Sequence, residues 1–472
     1  MSVRMLLAGV RRRTGAVATG VLVLTATAVA CLSLAAAAPA PRTSGDQLWA
    51  SLCAPPGQLD CRGVAAAQSH DGRAFYVAAT VAAAAGSQRD IALLKYADDG
   101  TLLWQQVIGG AGDDRPAAIA VDADGNVVLA GTTQSDTTGD DVLVAEYSSL
   151  GARRWTAHYR GPGSGADIAT GVAVSLVPRH PAVYVAATTS GAGGRKATVI
   201  KYSSSGHRVW ARRYSPTSGP SSAAAIALDR AGSAYIGGSF ASHGDLQGLL
   251  VKYAGNGTVR WTATATGARQ RDSGIVAVAI GDGATAHVYA CGSRGVSLGG
   301  AAMLASYAAG SGRHEWTTLL GAAGLGESTF HSVATDHDGN AVVAGDVAGT
   351  GPTGRQAVVA KYRVRTGATL WVQLYNATTT GDEDSLAAVA VNAFDEVFAV
   401  GTSHIAAGDQ MVTLSYMGSG AVRWAKLYGG PAGAPAAGTA LTLNVVTGAP
   451  CAVGYTADGV GGIKTAAVGY QR

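Results

Sequence analysis

Two short stretches, VDADGN at 121–126 and TDHDGN at 335–340, each place two carboxylates and an amide within five positions. Asp122, Asp124 and Asn126 in the first, and Asp336, Asp338 and Asn340 in the second, are oxygen ligands of the kind Ca²⁺ accepts. The same residue types build an ordinary Asp-Gly hairpin turn, where Asp and Asn bond their own backbone and Gly takes positive φ. Neither stretch continues to the Glu of a complete calcium loop, so the turn is the primary reading and the cation the alternative. A second acidic set is positional. Asp60, Asp114, Asp167, Asp272, Glu327 and Asp384 each precede the end of a β-rich run by six to eight residues, and Ser221 and Ala436 hold the place in two further runs. Such carboxylates either accept backbone N–H groups that tie neighbouring units together or ring a ligand or cation mouth. A third set lies in variable connections: Asp136 and Asp140 in TTQSDTTGDD, His243 and Asp245 in SFASHGDLQ, and His404 and Asp409 in TSHIAAGDQ. Exposed connections carry recognition more often than regular elements do, which makes these six the candidate binding residues. HExxH, GxSxG, Walker and CxxC patterns are all missing, and the ten histidines do not recur at one place. No catalytic residue and no cofactor is expected from the motifs.

The elements that position these groups follow from a repeat. Trp stands at 49, 104, 155, 210, 261, 316, 371 and 424, each with Gly four positions earlier, from GDQLW and GTLLW to GAVRW. Tyr at 96, 147, 202, 253, 307, 362, 416 and 470 runs in step. Between 117 and 159 one unit reads in full: AAIAV, an Asp-Gly turn, VVLAGTT, then DVLVAEYS, a short turn and ARRWTAHY. Period-two apolar patterning around turn residues predicts a four-stranded antiparallel meander, strands A to D. Meanders repeated about every 50 residues predict the blades of a β-propeller, with an open solenoid of sheets as the alternative. The first Trp has no strand C before it and the last Tyr has no strand D after it. The two remainders are complementary. The expected fold is therefore all-β: an eight-bladed propeller whose N-terminal strand is the outer strand of the C-terminal blade, which closes the ring. The tryptophans are expected to fill space between sheets, and small residues late in strand B, such as Gly131 and Gly401, to permit close contact.

Composition sets the compartment. The chain of 472 residues is 47% hydrophobic and 14% charged, enough for a large core. Its net charge of +4 equals Arg4, Arg11, Arg12 and Arg13; residues 1–40 contain no acid, and the remainder balances. A neutral body excludes the electrostatic footprint of a nucleic-acid binder. The arginines precede an apolar run and small residues at Ala35–Ala40, which predicts residues 1–40 as a signal peptide or membrane anchor and 41–472 as a single propeller domain. A lipoprotein signal at Cys31 is a third reading. Outside the cytosol, Cys53 and Cys61, flanking APPGQLD, are expected to form a local disulfide, with free thiols as the alternative. Cys291 and Cys451 read as small buried hydrophobes.

GGAGDDRPAAIAVDADGNVVLAGTT at 109–133, followed by DVLVAEYSSLGARRW, resembles the bacterial seven-bladed β-propeller repeat family, abbreviated SBBP, over residues 45–470. The G-x-x-x-W series is also similar to the tryptophan-docking repeats of quinoprotein dehydrogenases. The first resemblance implies an exported or surface protein. Together these readings predict a non-enzymatic binding or scaffold protein, secreted or at the cell surface, whose partner is an extracellular protein or glycan. Membrane attachment would come only through the N-terminus. The alternatives are a propeller enzyme such as a quinone-dependent dehydrogenase and a purely structural surface protein.

Overall fold

In the computed structural model, the described residues are 43–472 apart from 85–86, 136–138, 176–180, 266–271, 282–285, 297–298, 322–325, 350–353 and 378–382. The N-terminal segment carrying the four arginines and Cys31 lies outside them, as does Asp136. Thr43–Arg472 is one unit by its internal contacts. It is built of strands; one 3₁₀ turn, Pro431–Gly433, is the exception among the described residues.

The sequence repeat becomes a repeat of hydrogen bonding. Seven complete meanders of strands A to D follow one another, beginning with Asp60–Gln68, Ala74–Ala82, Arg89–Ala97 and Leu102–Ile108 and ending with Asp384–Val391, Val397–Ile405, Gly408–Tyr416 and Val422–Tyr428. Three more strands, Ala436–Leu443, Pro450–Ala457 and Ile463–Tyr470, pair in the same A-B-C order. The strand Gln47–Cys53 pairs antiparallel with Ile463–Tyr470, with Ala50 opposite Val468 and Cys53 opposite Thr465. A single parallel bridge, Asp60 to Ile463, links this last meander to the first. Each strand A packs on the strand A of the next meander, and Asp60–Gln68 packs on Ala436–Leu443.

Strand B is the buried centre of every sheet, because it is covered on both faces. Ala74–Ala82 and Ala182–Thr189 read as almost continuous apolar runs and are buried nearly throughout. Every A/B pair carries a bulge at the same place, between Gly63 and Ala65 in the first meander and between Phe330 and Ser332 in the sixth. The small residue late in strand B faces that bulge: a Cβ on Gly401 would lie 2.0 Å from the Ser385 carbonyl oxygen. The close contact expected there is thus with the sheet's own strand A.

The G-x-x-x-W spacing has a direct packing cause. Each Trp lies over the Gly of the following G-x-x-x-W, Trp155 on Gly206 and Trp316 on Gly367, with a built Cβ falling 2.6 Å and 2.5 Å from the rings. The glycines also take positive φ, +81° at Gly206, as the C-to-D turn requires. In seven cases the indole Nε1 donates to a carbonyl of that same turn at 2.8–3.1 Å, from Trp49 to Asp98 through Trp371 to Gly418. Trp424 covers Gly45, but its Nε1 has no acceptor among the described residues. The Tyr series joins the same seam: Trp210 stacks on Tyr253 and Trp424 packs on Tyr470.

Candidate functional site

The two ends of the sheets differ in what their polar groups do. At the end with the A-to-B and C-to-D turns, groups are spent on joining sheets. Lys95, Lys201, Lys252 and Lys361 donate to the carbonyl oxygens that also receive an indole N–H, at 2.7–3.1 Å. Tyr76, Tyr184 and Tyr289 donate their hydroxyls to Gly125, Gly232 and Gly339 of the next A-to-B turn. The Asp-Gly turns belong here. Asp122 accepts the N–H groups of Asp124 and Asn126 and the Asn126 amide, and Asp336 accepts from Asn340 and pairs with Lys361 at 2.6 Å. Among the described residues no three acidic, histidine or cysteine side chains converge on a cation position. Asp122, Asn126, Asp336 and Asn340 thus have turn bonds of the kind the hairpin reading describes; Asp124 and Asp338 share the two turns.

At the other end, where the D-to-A connections and B-to-C hairpins emerge, the acidic series divides. Aligning the strands on their bulges gives the buried equivalents as Cys61, Asp114, Asp167, Ser221, Ser273, Ser328, Asp384 and Ala436, all nearly inaccessible. Asp114, Asp167 and Asp384 occupy this buried place. Asp60, Asp272 and Glu327 sit one residue earlier, and a one-residue step along a strand turns the side chain to the other face. The buried carboxylates tie down their own connections: Asp114 accepts from Gly110 N–H at 2.8 Å, Asp384 from Ala377 at 3.1 Å, and Asp167 from Gly161 at 2.5 Å and from Ser190 at 2.7 Å. Ser221 substitutes with its hydroxyl, donating to Tyr214 and accepting from Ala197. Asp167→Ala is expected to cost about 1–3 kcal/mol, because two buried N–H groups lose their acceptor. Glu327→Ala is expected to change stability by under about 0.5 kcal/mol; denaturant melts of the two variants check the contrast. Burial raises the Asp167 pKa from its ordinary 3.8, against the pull of the two N–H groups. The folded state thus holds this proton more tightly, and its contribution to stability declines as pH rises from about 3.8 through the raised value.

The five described loop candidates lie in three separate sheets. His243 and Gly244 alone turn the fourth meander's B-to-C hairpin, His243 at φ +53°. His404 and Asp409 face each other across the seventh hairpin at 2.7 Å, both half-exposed. Asp245 opens strand C of the fourth meander opposite Ser242, and Asp140 lies opposite Gln134 in the second. These hairpins are short and belong to sheets that are not neighbours. In the fourth and seventh hairpins strands B and C stay paired to their ends.

A concave site does exist at this end, and it is made of strands. A cavity of about 370 Å³ lies between the last, first and second meanders, lined by Asp60, Arg62, Arg89, Arg115 and Tyr455 around Val64, Val81 and Thr439. Two aligned positions supply its character. The residue before the bulge is Arg62 and Arg115 here, and Ile168, Ser222, Gly274, Thr329, Ser385 and Ala437 in the other sheets. Its partner in strand B is Thr or Ser in six sheets, as in Thr132, whose hydroxyl accepts the Ala169 N–H of the next sheet. Tyr455 and Asp346 are the two departures. Arg62 lies over the Tyr455 ring at 5.1 Å and bonds Asp60 through Nε at 2.9 Å. Arg115 pairs with Asp113 at 3.1 Å. In the sixth meander, buried Asp346 gathers His331 at 2.6 Å, Arg355 at 3.1 Å and Ser385 at 3.0 Å.

Cys53 and Cys61 are free thiols, which corrects the expected disulfide. Both are buried in one apolar cluster, but the Cys61 sulfur lies 3.1 Å from the Thr465 hydroxyl and the Cys53 thiol reaches Gln105 at 3.6 Å. Each side chain is thus directed at a different strand. Burial pushes the Cys61 thiol up to about 11, so neither thiolate chemistry nor metal binding is favoured there. Cys291 and Cys451 are buried as expected.

Repeated four-stranded antiparallel sheets, each packing its first strand on the next, define a β-propeller, and the comparisons with solved structures agree. Two structures of Sqt1 from Chaetomium thermophilum, one of them bound to the N-terminus of the ribosomal protein L10, match with TM-scores of 0.56 and 0.55. Identity is 12% in both; the match covers 88% of this chain and 98% and 97% of theirs. The Dos1 propeller matches at a TM-score of 0.49 and 10% identity, over 74% of this chain and 77% of that one. No family model and no curated protein sequence matches the chain.

Proposed function

We propose that this protein is an exported, non-enzymatic binding scaffold: a closed propeller of eight blades that docks a protein partner on the end bearing the D-to-A connections. Eight blades are supported by the succession of Trp-on-Gly contacts, which passes from Trp424 to Gly45 and from Trp49 to Gly100 without a gap. Export is supported by the Arg-led apolar N-terminus, and the repeat's resemblance to the SBBP family points the same way. The observation that carries the docking reading is the asymmetry of the ends. The turn end spends four lysines, three tyrosines and seven of the tryptophans on inter-sheet bonds, while the opposite end presents an open charged cavity built from residues that depart from the repeat. Sqt1, a propeller-sized chain of similar fold, is bound to a terminal segment of another protein, which supports this kind of use.

The test fills the cavity. Thr80, which lines it, is replaced by Trp in the full chain, and capture of secreted and surface proteins is compared with that by the wild type and by Leu150→Ala at the turn end. A partner retained by wild type and Leu150→Ala but lost from Thr80→Trp is expected. A partner lost only from Leu150→Ala would place docking on the other end and overturn the reading.

A further inference from the structure

The cavity's chemistry names what it takes. Three arginines from three strands line it, with Asp60 the one lining carboxylate and Asp113 beside Arg115 and Arg89, in a body whose charges otherwise balance. Each of Arg62 and Arg115 is steadied by the acid two residues earlier on its own strand face, Asp60 and Asp113. Arg62 spends its Nε on this contact, which leaves its two terminal nitrogens out of the Asp60 bond. The Arg89 guanidinium makes no hydrogen bond among the described residues; its backbone N–H is held by Asp113, on which its charge also acts. Guanidinium forks matched to a planar acceptor bind carboxylates with two parallel bonds. The volume, about 370 Å³, lies near the low end for ligand sites and suits one or two side chains. Val64, partly exposed, offers apolar surface to a methylene stem. A sugar ring would stack on an aromatic face, but the Tyr455 ring is already covered by Arg62.

We infer that the Arg62, Arg89 and Arg115 cavity binds the carboxylates of an acidic polypeptide segment, an inference that deepens the protein-docking reading and rests on it for the choice of a peptide. Fluorescence polarisation with a labelled hexaglutamate peptide tests it on the full chain, beside hexalysine and an oligo-uronate. Hexaglutamate binding that weakens as salt rises is expected, with a loss of about tenfold or more in Arg89→Gln and again in Arg115→Gln. Arg89→Gln guards against misfolding, since its side chain holds no internal bond, and its melting curve is expected to match wild type. No hexaglutamate binding, binding equal in wild type and the Arg89→Gln, Arg115→Gln double variant, or binding of oligo-uronate alone would overturn the inference. Arginine-dependent hexaglutamate binding together with a partner captured through the turn end would uphold the cavity's chemistry and refute only the docking reading.

Discussion

Removing residues 43–53 is expected to lower the unfolding midpoint more than any single substitution made within a sheet. The strand Gln47–Cys53 supplies the outer pairing for Ile463–Tyr470, and its loss turns that strand into an exposed edge. Trp49 goes with it. Its ring stacks on Phe75 at 5.7 Å, lies over Gly100 and donates to the Asp98 carbonyl at 3.0 Å. Trp49→Ala alone is expected to cost toward the lower end of about 3–5 kcal/mol, because the ring is half-buried rather than enclosed. Deleting the last strand is the more severe change. Ile463–Tyr470 is paired on both sides and buried over Thr465–Tyr470, so its deletion breaks two pairings where removal of 43–53 breaks one. Thermal unfolding of Trp49→Ala and of the 43–53 deletion checks the ordering; a deletion that melts like wild type contradicts it.

The second large effect belongs to the glycines under the tryptophans. In Gly206→Ala the new methyl group meets the Trp155 ring at 2.6 Å, and the backbone stands at φ +81°. Two costs act together: about 1–2 kcal/mol for an L-residue in the left-handed region, and about 1–3 kcal/mol for forcing a packed ring aside. Gly139→Ala isolates the first of these. Its φ is +76°, and a Cβ there meets nothing within 4 Å. Chemical denaturation should therefore show Gly206→Ala destabilised by more than Gly139→Ala, with the excess suppressed when Trp155 is also shortened. Equal losses in the two glycine variants would mean that the Trp does not rest on Gly206 in solution.

The sequence displayed the repeat because the repeat is local: strand alternation, Asp-Gly turns and the Trp and Tyr series all lie within one unit. The use of the glycine was not visible, since Gly206 serves Trp155 of the preceding sheet rather than its own Trp210. The acidic series went wrong by one residue at Asp60, Asp272 and Glu327 for a physical reason. The place two residues before the bulge accepts an Asp, a Ser, a Cys or an Ala, so counting acids selects neighbours that face away; alignment on the glycines of strand B would have found Ser273 and Ser328. The cavity was the least legible feature. It joins Arg62, Arg89 and Arg115 to Thr439 and Tyr455, residues far apart in the chain that meet only because the last sheet lies beside the first. A signal was present all the same: Arg62 and Arg115 break a position that is otherwise small or uncharged.

Hydrogen exchange over 463–471 in the intact protein tests the central claim, that the N-terminal strand completes the last blade and closes the ring. Gln471 N–H donates to Asp46 at 2.7 Å and Gly45 N–H to Gln471 at 2.9 Å, so the whole segment is interior. The account predicts protection of 463–471 equal to that of the third strands of other sheets, such as Gly408–Tyr416, with loss of it when residues 43–53 are removed. Rapid exchange of 463–471 in the intact chain, at the rate of an outer edge, would contradict it.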